Sequence, residues 1–254
     1  MKRIDLNCDM GELPEAIADG TQEALMQYVS SVNIACGGHA GDRPMMRATI
    51  EQALLHGVSV GAHPGYEDRT NFGRIELPLA PKQISISIER QILALENVAN
   101  KCGARIVHVK PHGALYNRAA RNRETAQAIA DGVRRWRSDV VLIGLAGSVM
   151  LEVFHDAGFV VAAEAFADRR YEKDGSLRSR KFDDALFRDP QQAAEQALRI
   201  AEEGKVIAAD GTAFSLAVQT ICIHSDTPGA LAIAKAVHGR FKNVGIQLEA
   251  MRIS

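Results

Sequence analysis

Charge of either sign in excess is missing from this sequence: thirty Lys and Arg stand against thirty-one Asp and Glu, a net charge of −1. Such a chain lacks the basic field that nucleic acid or an anionic membrane would attract, and no basic patch with interleaved aromatics occurs. Long apolar runs are missing too, since none approaches the roughly 20 residues that span a bilayer. The opening MKRIDLNCDMGE carries charge straight into a strand-like run, unlike the apolar core of a signal peptide. A cytoplasmic protein is the expectation. Cysteine is sparse, and Cys8, Cys36, Cys102 and Cys222 show neither CxxC nor zinc-ribbon spacing, which points to reduced thiols. No linker rich in Pro, Gly or Ser and no internal repeat divides the chain, so residues 1–254 are read as one domain.

What remains is an ordinary globular composition, 46% apolar and 24% charged, long enough at 254 residues to bury a substantial core. Seven short runs rich in Val and Ile, namely RIDLNCD, SSVNIAC, GVSVGAH, RIVHVKP, VVLIGLAG, VVAAEAF and TICIHSD, alternate with segments of helical period. Met46, Ile50, Ala53 and Leu54 share one helix face; so do Ile84, Ile88, Ile92 and Leu95, then Ala126, Ile129, Val133 and Trp136, then Ala230, Ala234, Val237 and Phe241. Glycines in LLHG, NKCG, FHDAG, AEEG and VHGR read as helix C-termini. Alternation of this kind predicts a parallel sheet. The first strand lacks a dinucleotide fingerprint, offering only Gly11, so a closed βα barrel is preferred over an open sheet; with seven strands it is an irregular one. Two connections are long, HPGYEDRTNFGRIELPLAP after the third strand and ADRRYEKDGSLRSRKFDDALFRDP after the sixth, the latter with a turn expected at Asp174 and Gly175.

The ionisable residues gather at the strand ends. Asp5, Asn7 and Asp9 close the first strand and, at a spacing of two, leave from one face. Asn33, Cys36 and His39 close the second, His63 the third, and His108, Lys110 and His112 the fourth. Glu164 and Asp168 close the sixth, and His224 and Asp226 the seventh. Five of eight histidines fall at these ends, while His56, His155 and His238 lie near helix C-termini, where the helix dipole favours a cation. In βα folds ligands meet the C-terminal strand ends, so this convergence predicts an active site.

Within it, Pro111 ends a ladder and Gly113 permits a tight turn, while Lys110 suits a developing oxyanion or a phosphoryl group, or else a salt bridge to Glu164 or Asp226. Gly37, Gly38 and Gly41 precede a helix that Asp42 can cap, with Pro44 in its first turn; such a start either holds an anion or only turns the chain, and it is not a Walker A loop. Asp9, His39, His63 and His112 could ligate zinc, but nothing resembles HExxH and no metal is assigned. Cys36, near histidines and a helix start, is a conceivable nucleophile, though burial is the commoner fate of such a residue.

The blocks IDLNCDMGE, NIACGGHAGD, GAHPGY, FGR, HVKPHGALYN, EAFADRRY, DGSL and CIHSDTPGA resemble, in order and over nearly the full length, the LamB/YcsF family. The resemblance implies an irregular seven-stranded βα barrel akin to polysaccharide deacetylases and some glycoside hydrolases. It also implies an ATP-dependent lactam hydrolase that opens 5-oxoproline to L-glutamate, with ATP and magnesium as cofactor and 5-oxoprolinase subunits B and C as partners. Gly38 departs from the family's CGFHAGD, and His224, Ser225 and Asp226 stand where HGD is usual. On this reading Asp9, His63, Lys110, His112 and Asp226 are catalytic, and Asn7, His39, Glu164, Asp168, Arg169 and His224 bind substrate. Two rival readings stay open: a metal-dependent deacetylase or amidohydrolase needing no ATP, and a non-catalytic subunit that only binds the lactam.

Overall fold

The computed structural model describes residues 2–251. All seven expected strands form: β1 (Arg3–Met10), β2 (Ser31–Ala35), β3 (Ser59–His63), β4 (Ile106–Val109), β5 (Val141–Leu145), β6 (Val160–Phe166) and, after a short hairpin of β7 (Lys205–Ile207) and β8 (Ala213–Ser215), β9 (Thr220–His224). They pair in parallel in the order β1-β2-β3-β4-β5-β6-β9, and β9 pairs back onto β1 from Asp5↔Thr220 to Asp9↔His224, which closes a barrel. A final two-residue strand, β10 (Gln247–Leu248), adds beside the start of β1. The β7–β8 hairpin is antiparallel and lies outside the barrel sheet.

Helices occupy the crossovers: α1 (Pro14–Ala18) and α2 (Thr21–Met26), α3 (Arg43–Leu55), α4 (Pro81–Cys102), α5 (Gly113–Ala119) and α6 (Arg123–Trp136), α7 (Val149–Asp156), α8 (Pro190–Glu203) and α9 (Ala230–Asn243). The apolar stripe of α4 is fully used: Ile84, Ile88, Ile92 and Leu95 are buried, each contributing roughly 1.5–3 kcal/mol. At the start of α3, Asp42 accepts from the Met45 N–H at 2.9 Å, with Pro in the first turn, as the sequence leads one to expect. One helix end differs from expectation. Gly239 of VHGR lies inside α9, which continues to Asn243; Gly245, with φ of 76°, follows its end instead. No helix among the described residues is long and apolar enough to cross a membrane.

Parity along β1 sorts the side chains: Leu6, Cys8 and Met10 join the apolar core, while Asp5, Asn7 and Asp9 meet the polar groups of neighbouring strands. Their depth differs. Asp5 accepts from Ser30, Ser31 and Thr220 and borders a 310 Å³ hollow beside the strand starts Val141 and Val160, at the mouth opposite the expected site. Its expected place at the strand end is therefore corrected: Asp5 is the first of three rungs that climb the barrel at about 3.3 Å per residue.

Candidate active site

Above the middle rung lies a cavity of about 1190 Å³ whose wall includes Asp9, His63, Lys110, His112, Arg169, His224 and Asp226. The middle rung is its foundation. Asn7 donates to Glu164 Oε1 (2.9 Å) and Thr220 Oγ1 (2.7 Å), and its Oδ1 accepts from Asn33 (2.7 Å) and Lys110 (3.3 Å), so every hydrogen-bonding position is filled. Glu164 takes the Tyr116 hydroxyl on its other oxygen at 2.8 Å. His108 bonds Asn33 Oδ1 at 2.8 Å, and burial holds its pKa down at about 3. Neither Asn7, His108 nor Glu164 reaches the cavity.

Lys110 joins this rung to the cavity. Its ammonium lies 2.9 Å from Asp9 Oδ1, 2.9 Å from Glu164 Oε1 and 3.0 Å from Cys222 Sγ. Burial disfavours the charge, but Asp9, Cys222 and Glu164 outweigh it and raise the lysine well above its ordinary pKa. Asp9 is in turn lowered well below the usual carboxylate range, because His63 and Lys110 overcome its own desolvation.

On one side of Asp9, four groups from four segments interlock. Glu12, just beyond β1, accepts from His39 at 2.8 Å; His39 stacks on His112 with ring centroids 3.6 Å apart; and His112 Nδ1 lies 3.0 Å from His63 Nε2. Glu12 reaches its place because Gly11 adopts φ of 72°, a left-handed conformation that ends the strand. The long 64–80 connection supplies the outer support. Phe72 takes φ of 54°, costly for a residue with a β-carbon, and its carbonyl accepts from His112 Nε2 at 2.9 Å. Next to it, Gly73 has φ of 62° and no room for a side chain, since a Cβ there would lie 2.8 Å from His39 Cβ. The same close fit appears at Gly38, where a Cβ would come within 2.3 Å of Gln91 Oε1, so the glutamine fills the space beside the departing glycine.

On the other side, His224 donates Nδ1–H to Asp168 at 3.0 Å, and its Nε2 lies 4.0 Å from Asp9 Oδ2. Asp168 also accepts from Thr227 and is held at about 2: burial opposes its charge, but His224, Thr227 and Arg169 prevail. Asp168 stands behind His224 and, like His39, does not line the cavity. Arg169 does, with Nη2 bonded to the Arg178 carbonyl at 2.7 Å and Nε without a hydrogen-bond partner among the described residues. Burial and the nearby Arg180 lower its pKa to about 10. Asp226 is paired with both Arg74 and Arg180 at the cavity wall, so its carboxylate is engaged. The Asp174–Gly175 turn forms as expected, Gly175 N–H bonding the Glu172 carbonyl at 3.0 Å, and it brings the sixth-strand connection over the cavity.

Cys36 does not serve as the conceivable nucleophile: its thiol donates to the Ile34 carbonyl at 3.1 Å and burial pushes its pKa up to about 12. Glu12, Arg74, Arg180 and Tyr116 are absent from the sequence-based set. Glu12 and Arg74 sit inside blocks already singled out, MGE and FGR, but neither belongs to a strand, and strand-end position is the signal that found the others. Metal-ligand chemistry is concentrated here too. Ligand atoms of Glu12, His39, His63 and His112 lie within 4.8 Å of one another, as do those of Asp9, Cys222 and His224.

The family model described as LamB/YcsF family matches residues 4–254. A Chloroflexus aggregans protein named as the A subunit of 5-oxoprolinase is 47% identical over 252 residues, covering 99% of this chain and 100% of its own. A protein of the same name from Heliobacterium modesticaldum is 44% identical over 248 residues, 98% of each chain. The crystal structure of a lactam utilization protein from Thermus thermophilus superposes with a TM-score of 0.91 at 41% identity, covering 99% of this chain and all of the other.

Proposed function

This chain belongs to the LamB/YcsF family, and from that membership and the geometry of the cavity we propose that it is the 5-oxoprolinase subunit that opens the lactam of 5-oxoproline to L-glutamate, coupled to hydrolysis of ATP to ADP and phosphate. Subunits B and C are the proposed partners, and ATP with magnesium the proposed cofactor of the assembly. The observation that carries the reading is the meeting of Asp9, His63, Lys110, His112, His224 and Asp226, drawn from four strand ends, at one cavity.

A five-membered lactam is a stable amide whose carbonyl needs activation. Phosphorylation of the amide oxygen by ATP supplies it; water then adds to the ring carbon, the C–N bond breaks with the nitrogen taking a proton, and a second water releases phosphate. His224 is the best-placed base: Asp168 fixes its Nδ1–H, which leaves the Nε2 lone pair beside Asp9 at the cavity wall. Asp9 and Asp226 are already held ionised by cations, and Lys110 acts by fixing Asp9 from below. Arg169 and Arg180 are the cations available to a substrate carboxylate or a phosphoryl group.

The test is release of glutamate from 5-oxoproline by the chain alone and with subunits B and C, with and without ATP. The reading expects release only from the ATP-supplied assembly, and a fall of roughly 10²–10⁴-fold in kcat for His224→Asn with an unchanged far-UV CD spectrum. An assembly that leaves 5-oxoproline intact sinks it, and so does full turnover by His224→Asn. Binding of the lactam by an assembly that never hydrolyses it supports the rival reading, a purely binding role.

A further inference from the structure

The contact between His63 and His112 is chemically incomplete as two neutral rings. His63 Nδ1 lies 2.8 Å from the Lys110 carbonyl oxygen, and His112 Nε2 lies 2.9 Å from the Phe72 carbonyl oxygen. A carbonyl only accepts, so those two nitrogens carry the N–H of each ring. The nitrogens left over, His63 Nε2 and His112 Nδ1, are then both bare lone pairs, and they face each other at 3.0 Å. Two acceptors at that distance repel unless something positive lies between them.

Two carboxylate oxygens face the same point. Asp9 Oδ2 is 3.4 Å from His63 Nε2; Glu12 Oε1 is 3.4 Å from His112 Nδ1 and 3.8 Å from His63 Nε2. Four donors bound tetrahedrally at about 2.1 Å would stand about 3.4 Å apart, and the four contacts that link His63 to His112, Asp9 and Glu12 and His112 to Glu12, at 3.0, 3.4, 3.8 and 3.4 Å, bracket that value. The supporting groups are those a metal site needs. Each histidine is oriented by a backbone carbonyl on its far nitrogen. Asp9 has its other oxygen occupied by Lys110 at 2.9 Å and Asn33 at 2.8 Å, while on Glu12 the inward oxygen Oε1 itself also accepts from His39 at 2.8 Å, which fixes its direction. Since Lys110 is also matched by Glu164 at 2.9 Å, two carboxylates and two neutral imidazoles leave room for two positive charges.

We propose that Asp9, Glu12, His63 and His112 bind one divalent transition ion, of the zinc type that mixed imidazole and carboxylate donors favour. The ion sits at the cavity floor beside His224, with Cys222 outside its coordination sphere. There it polarises a carbonyl or a water molecule in the space where the lactam is proposed to bind. His39 is a positioning residue that keeps Glu12 aimed at the ion.

The test uses full-length protein purified without chelator, then stripped and titrated with Zn²⁺ alone by calorimetry. Wild type is expected to take up one equivalent, and His112→Gln and Glu12→Gln, checked for native CD, to bind about 100-fold more weakly or worse. His155→Ala, on an exposed helix face, is expected to bind like wild type. X-ray absorption of the zinc-loaded wild type should show only nitrogen and oxygen neighbours near 2.0–2.1 Å. Failure of wild type to bind stoichiometrically overturns the proposal, as does undiminished binding by both variants. A sulfur shell near 2.3 Å overturns the donor set. Without a metal, His63 carries the second proton as the imidazolium that lowers Asp9, and donates Nε2–H toward His112 Nδ1; the ion takes the place of that proton.

Discussion

Replacing Lys110 with methionine keeps most of the side-chain volume and removes the cation around which the upper barrel is organised. That ammonium is 2.9 Å from Asp9 Oδ1 and 2.9 Å from Glu164 Oε1, with only 3% of its side chain exposed. At an effective dielectric of about 20, each contact is worth on the order of 6 kcal/mol before desolvation, which takes back several kcal/mol per ion. What remains after deletion is Glu164 with no other ion pair among the described residues and Asp9 with only His63 and His224 beside it, and breaking such a network costs about 3–5 kcal/mol. Urea unfolding of Lys110→Met at pH 7, followed by CD, should show that loss. Neutralising one abandoned carboxylate should relieve it, so Lys110→Met with Glu164→Gln is expected to be less destabilised than the sum of the single changes, by about 1.5–3 kcal/mol. A cost below about 1 kcal/mol for Lys110→Met, or additivity within about 0.5 kcal/mol in the cycle, would show that this cation does not hold the two carboxylates in place.

Gly61→Ala should destabilise by about 1–3 kcal/mol in the same urea assay, because the new Cβ would fall 1.9 Å from His108 Nε2 in a closed interior; a neutral effect would contradict close packing of His108 against β3. Asp168 is lowered from 3.8 to about 2, so its stabilisation is present above about pH 4 and lost as pH falls through about 2. Asp168→Asn should therefore cost about 2 kcal/mol at pH 7, with the gap to wild type closing in acid; a gap independent of pH contradicts the pairing with His224. Cys36→Ala should leave glutamate release by the assembly within a few-fold of wild type, and the native thiol should resist alkylation at pH 8, since its pKa is near 12. Rapid alkylation of Cys36 in the folded chain would count against that burial.

Much of this architecture is legible from local pattern. Val- and Ile-rich runs separated by amphipathic helices specify both the strand count and the parallel pairing, because each crossover must bury a helix stripe such as Ile84, Ile88, Ile92 and Leu95. Parity correctly puts Asp5, Asn7 and Asp9 on one side of β1, but it carries no information on height. Closure of the barrel decides that Asp5 faces one mouth, Asn7 is sealed between Glu164, Thr220, Asn33 and Lys110, and only Asp9 meets the cavity. Glu12 carries no strand-end signal: it follows a left-handed glycine, and its partners His39, His63 and His112 are near it only after three crossovers. The short elements α1, α2, α5, β7, β8 and β10 have too few residues to register a period. Arg74 and Arg180, which hold Asp226, come from the two long connections, where no periodicity fixes a side chain's direction.

The proposed ring opening falls to the groups that meet above the middle rung, and Asp9→Asn probes that proposal at its centre. The substitution keeps the shape of the residue that Lys110, Asn33, His63 and His224 surround while removing its charge. Glutamate release from 5-oxoproline, measured with ATP and subunits B and C present, should fall by roughly 10²–10⁴-fold while the variant keeps a native CD spectrum. Release within two-fold of wild type would mean that the chemistry lies elsewhere.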